Sequence, residues 1–139
     1  MTGFFDIEPV LVERLMTRLP PEVRILTAAN MDSVKTLPRG VRVLFWGYNV
    51  TGNGVLLGLE QTWLTILSIA HNKNAGRDSG MRDEAGPLID TIIAALHRYQ
   101  PTGYRPLRLA NAFAPLYEGG MAHFPLAWHV NFKDTLCPT

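Results

Sequence analysis

Residues 121–133 read MAHFPLAWHVNFK, and every second position carries an apolar side chain: Ala122, Phe124, Leu126, Trp128, Val130 and Phe132. Successive side chains of a strand point to opposite faces, so a period of two over this length predicts a long strand with one face in a core. The other face holds Met121, His123, Pro125, Ala127, His129, Asn131 and Lys133, a mixed surface that is either wet or covered by a partner. Pro125 has no N–H for a ladder, so the strand either runs at a sheet edge or turns that position away from its neighbour.

Further strands are needed to pair with it. Residues 41–48 (VRVLFWGY) and 55–70 predict two more, joined by NVTGNG at 49–54, whose glycines suit a hairpin loop. Residues 22–27 (EVRILT) and 107–113 predict shorter strands, and 28–37 has room for one helical turn before Pro38. Turns are expected at 101–106 (PTGYRP) and 115–120.

Two segments have helical spacing instead. Ile7, Leu11, Leu15 and Leu19 recur four apart, with Asp6 placed to cap, Pro9 tolerated in the first turn and Pro20-Pro21 as the stop. Ala85, Leu88, Ile89, Ile92, Ile93 and Leu96 form one buried helical face, and Asp83 and Glu84 would open that helix at the positive end of its dipole. Before it, 71–82 (HNKNAGRDSGMR) has no apolar period and reads as an exposed, mobile connection. The fold expected is α+β: a mainly antiparallel sheet with a long hairpin and two helices packed on one face. It should form one domain over 1–139, with a flexible tail from about 134 to 139.

Composition narrows the function. Thirteen Lys plus Arg against twelve Asp plus Glu give a formal charge of +1, too small for a general nucleic-acid footprint and low enough to permit self-association. The one cysteine, Cys137, excludes an intrachain disulfide and a four-Cys zinc site. No apolar run reaches the ~20 residues that cross a bilayer, and the amino terminus has no secretory pattern, which points to a soluble cytosolic protein.

The search for chemistry gives little. His123 and His129 share a face but lie six residues apart, roughly 20 Å along a strand, too far for one metal ion. Gly52, Gly54 and Gly58 have a spacing like that of a dinucleotide loop, but a strand follows them where a helix would be required. No GxSxG elbow and no Cys-His pairing occurs, so no catalytic, cofactor-binding or metal-ligating residue is expected. Lys73, Arg77 and Arg82 sit in the polar connection, partly offset by Asp78 and Asp83; they read either as a solvated loop or, in a ring-shaped oligomer, as a modest positive charge multiplied by symmetry against a neighbouring protein or along a pore.

Four features carry a resemblance: the opening helix at 8–19 followed by a strand, Gln61-Thr62-Trp63 within the long strand, RDEAGPLIDTIIAAL at 82–96 before Pro101-Thr102-Gly103-Tyr104, and YEGGMAHFPL at 117–126. In their order the chain is similar, over nearly its whole length, to the small tail terminator proteins of long-tailed bacteriophages. The likeness is to those of Mu-like and related siphophages, with the lambda terminator more distant. The resemblance implies a structural subunit that forms a homo-oligomeric, hexameric ring in the virion tail, assembled in the host cytoplasm. Such a ring caps the tail tube, stops its polymerisation and offers a surface to head-completion proteins. DNA only passes through the lumen, and no membrane, cofactor or reaction is involved. The candidate contact residues are Lys73, Arg77 and Arg82 in the connection and His123, Pro125 and His129 on the mixed strand face. Another head–tail joining subunit is the near alternative, and a small cytosolic ligand-binding module or a hydrolase the more distant ones.

Overall fold

The computed structural model describes residues 3–27, 39–52, 57–70, 78–118 and 120–133. The elements run α1 (Ile7–Arg18), β1 (Arg24–Thr27), β2 (Arg39–Gly52), β3 (Leu57–Ala70), α2 (Asp78–Leu96), β4 (Arg108–Ala110), β5 (Leu116–Glu118) and β6 (Met121–Asn131). They build a six-stranded sheet in the order β1-β2-β3-β6-β4, with β5 also on β6. Only β1 pairs parallel, with β2; every other ladder is antiparallel, as expected of an α+β chain of this pattern.

Register lines up the apolar stripes. Val43 pairs with Thr65 and Thr65 with Leu126; Phe45 pairs with Trp63 and Trp63 with Trp128. Onto this face pack Ile7, Leu11 and Leu15 of α1 and Ala85, Leu88, Ile92, Ala95 and Leu96 of α2, in one cluster. Trp63 and Trp128 lie fully buried at its centre. A buried indole removes about 200 Å² from water, of the order of 5 kcal/mol of gross transfer free energy, provided its N–H finds an acceptor. Both do: Trp63 Nε1 donates to Gln61 Oε1 at 3.0 Å, and Trp128 Nε1 to Thr65 Oγ1 at 2.9 Å.

Several expectations change. The final strand is not an edge: β3 flanks β6 on one side, β4 and β5 on the other. Pro125 sits in the interval between those two short ladders, where its missing N–H interrupts neither. The predicted connection 71–82 is shorter, because α2 already begins at Asp78; Asp83 and Glu84 therefore lie inside the helix. Glu84 has a tertiary partner, accepting from Arg39 Nε at 2.6 Å. Pro87, which costs a helix interior one backbone bond, is retained within α2. Asp6 does not cap α1 with its side chain, since its carboxylate accepts from the Gly3 N–H at 2.7 Å.

The hairpin strands extend into the predicted loop, with Gly52 paired to Leu57, and β4 covers only three residues of the stretch 107–113. The predicted turn at 115–120 contains β5, which returns to β6 through Gly120 at φ 75°. The predicted helical turn at 28–37, the hairpin tip at 53–56 and the tail at 134–139 lie outside the described residues. The β4 edge is closed from outside: the Leu109 N–H bonds His97 Nδ1 at 3.2 Å, and Leu107 pairs with Arg98 and Tyr99. Arg98 takes φ 69°, a left-handed turn that ends α2 and sends the chain back along β4.

Candidate assembly surface on the helix-free face

The same alternation that buries one side of the sheet assembles the other. Arg42, Ile66 and Pro125 lie in one row of that face, Leu44, Leu64 and Ala127 in the next, and Thr62 with His129 in the third. Among the described residues both helices lie on the opposite side, so this face is composed of strand side chains and whatever the chain folds over them.

Two polar clusters bracket it. At one end Arg42 Nη1 donates to Ser68 Oγ at 2.7 Å, and Ser68 Oγ lies 2.7 Å from His123 Nδ1. The Ser68 hydroxyl thus accepts from Arg42 and shares a second hydrogen bond with the His123 ring. A serine–histidine contact of this length could suggest a hydrolase. Ser68, however, is fully buried, so its hydroxyl is not presented to a substrate carbonyl. At the other end Glu60 pairs with Arg108 at 3.0 Å and with His129 Nδ1 at 3.4 Å, and Thr62 Oγ1 lies 3.5 Å from the same nitrogen. These groups are partly exposed, so the pairs fix orientation more than they stabilise.

Between the clusters runs an apolar band. Leu64 and Ala127 are each only 2% exposed and Pro125 is buried, yet Leu64 and Ala127 lie outside the helix-side core. The segment 111–115, between β4 and β5, reaches over this face through Phe113. Ala110 pairs with Ala127 and Leu116 with His123, so five residues, 111–115, stand opposite three, 124–126. Two surplus residues let the chain leave the edge and fold over the face. Phe113 then meets Trp46 of β2, ring centroids 5.8 Å apart, although β2 and β4 are about 14 Å apart across the sheet. Trp46 stands at the register shift between Phe45 and Gly47, where a bulge re-aims it. It remains 64% exposed and Phe113 47% exposed.

The structure thus places His123, Pro125 and His129 on one face, in the register that the alternation requires. Pro125, expected on a face that is wet or covered by a partner, is buried within the subunit. Arg82 falls in α2, which corrects its assignment to a loop, and Lys73 and Arg77 lie outside the described residues. Sequence reading missed Arg42, Ser68, Glu60, Arg108, Trp46 and Phe113. The alternation within VRVLFWGY could have put Arg42 opposite the core, but no local signal pairs it with Ser68, 26 residues away, or Trp46 with Phe113.

A groove of about 420 Å³ lies between α1 and the turn after α2, lined by Val10, Glu13, Arg14 and Tyr99 among others. Arg14 is already engaged there, with its guanidinium 4.1 Å over the Tyr99 ring and its Nε donating to the Ala95 carbonyl at 2.9 Å. Among the described residues no helix is long and apolar enough to cross a membrane.

A helix-backed, mostly antiparallel sheet whose second face is bracketed by two polar clusters and crossed by a short stretch of its own chain defines a small α+β structural subunit built around a sheet surface. The family model of the phage tail terminator protein matches residues 1–135, and the chain belongs to that family. It is a structural component of a phage tail. No individual curated protein matches the chain.

Proposed function

We propose that this protein acts as the terminator itself: copies form a ring, hexameric by family resemblance, that caps the tail tube, stops its growth and presents a surface for head joining. Family membership across 1–135 is the observation that carries this reading. The sheet face opposite the helices supports it, since a chain of formal charge +1 with a sheet surface rimmed by Arg42, Arg108, His123 and His129 can meet a neighbouring protein with little long-range repulsion. Pro125 lies in the same face as a rigid apolar position. Lys73, Arg77 and Arg82 would contact the neighbouring subunit or the tube, their charge gathered around the lumen through which DNA passes.

The test is electron microscopy of particles made with and without this protein. Tails of excess or irregular length in its absence are the expected result, and tails of normal length joined to heads would remove the reading. Tails of normal length that fail to join heads would favour a joining subunit over a terminator. Replacing Lys73, Arg77 and Arg82 together by Ala should leave thermal stability unchanged and lower the yield of infectious particles. Unchanged titre and tail length would release those three residues from the interface.

A further inference from the structure

The segment 111–115 has properties of a contact made to be exchanged. Its sequence is Asn-Ala-Phe-Ala-Pro, uncharged, with one large side chain among small ones. All five residues are exposed, and among the described residues no hydrogen bond attaches them to the sheet. The segment is fastened at both ends by three-residue ladders to β6, and its anchor is one ring contact, Phe113 on Trp46. Even so, its ring contact carries it across the face that holds Leu64, Pro125 and Ala127, opposite α1 and α2. A cover of this kind can be lifted without breaking a backbone bond, and what it loses is regained in full by the same contact made elsewhere.

We infer that in the assembled ring Phe113 leaves its own Trp46 and seats on the Trp46 face of the adjacent copy. The occupant follows from the structure: this face already accepts this peptide, and exchange of an identical contact between protomers needs no new complementarity. A neighbour held in the ring raises the local concentration of the incoming segment, which favours exchange over the free subunit's self-contact. Passed from each copy to the next, the contact is heterologous, the type that closes a ring. In the free subunit the strap instead hides the apolar band, which keeps a nearly neutral chain from associating before it reaches the tube. The inference rests on the ring reading.

Two single-cysteine proteins test it, Trp46→Cys and Phe113→Cys, each combined with Cys137→Ser. Mixed together and treated with a short bismaleimide, they can be joined only by a contact between two copies. Cross-linked dimer is expected from tails assembled with the mixture, and only background from the mixed free subunits at equal concentration. Tails that contain both proteins but give no dimer overturn the exchange and leave the ring standing. Tails from which the unsubstituted protein is absent overturn the ring reading and the exchange with it. Because Trp46→Cys removes an aromatic anchor, a second readout keeps Trp46: Phe113→p-benzoylphenylalanine, mixed with isotope-labelled unsubstituted copies and irradiated in assembled tails. Cross-links from labelled peptides around residue 46 are expected, and cross-links confined to the photoreactive chain would refute the exchange.

Discussion

Gln61→Leu should destabilise the fold by about 2–3 kcal/mol. Gln61 is fully buried, and its amide works in both directions: Oε1 accepts from the Trp63 indole N–H at 3.0 Å, while Nε2 donates to the Phe4 carbonyl at 2.7 Å. Leucine keeps the volume and removes both partners at once. The Trp63 donor, in a fully buried ring, then bears a desolvation cost of about 1–3 kcal/mol, and the part-buried Phe4 carbonyl a cost near the lower end of that range. Relief from burying the amide itself offsets part of the sum. With an unfolding entropy of about 2.1 cal/mol/K per residue over this chain, 2–3 kcal/mol corresponds to a fall in Tm of roughly 7–10 °C.

Thermal unfolding followed by circular dichroism measures this, and a urea titration at constant m confirms that the change lies in stability. The effect should be coupled to its partner: in a Trp63→Phe background, Gln61→Leu should cost at least about 1 kcal/mol less, because the donor it orphans is gone. A Tm within about 2 °C of the unsubstituted protein would show that the amide is not the clasp described here. Phe4 would then be held by its ring contacts to Phe45 and Tyr48, at 5.6 and 5.7 Å, rather than by its carbonyl.

Ile92→Asp should abolish folding, because Ile92 is fully buried between α2 and the sheet and an unpaired carboxylate there has no partner; loss of the cooperative thermal transition is the readout. Tyr104, 2% exposed and with its hydroxyl unbonded among the described residues, has a pKa raised to about 12 by burial and by the negative charge of Asp6. The unfolded chain ionises near pH 10, so the stability this residue allows is complete below pH 10 and is lost between pH 10 and about 12. Urea unfolding of Tyr104→Phe across that range should show a shallower alkaline loss, with stability at pH 7 unchanged or slightly higher; a steeper loss or a large drop at pH 7 would mean that the hydroxyl has a bonded role.

Much of the architecture was legible locally. The period of two in β6 and the stripe of Leu88, Ile92 and Leu96 in α2 reflect backbone geometry that each residue imposes on its near neighbours, so reading the chain a dozen residues at a time was enough. Gln61-Thr62-Trp63 could be quoted as a family feature, and the fold explains the pattern: Gln61 and Trp63 face the core, bonded to each other, while Thr62 turns to His129 on the other side. The start of α2 was misplaced because Asp78 and its neighbours carry no apolar period, and the acidic pair at 83–84 was an equally good opening signal.

The sequence by itself determined the fold class, the existence of the two helices and their buried faces, the long hairpin and the family, since each rests on periodicity or on residue order along the chain. Only the tertiary structure decided that β6 is an interior strand, that Arg42 bonds Ser68, and that Phe113 crosses the sheet to Trp46. Those facts depend on which segments lie side by side, and two residues far apart in sequence become neighbours only through sheet order and register, which no local pattern encodes.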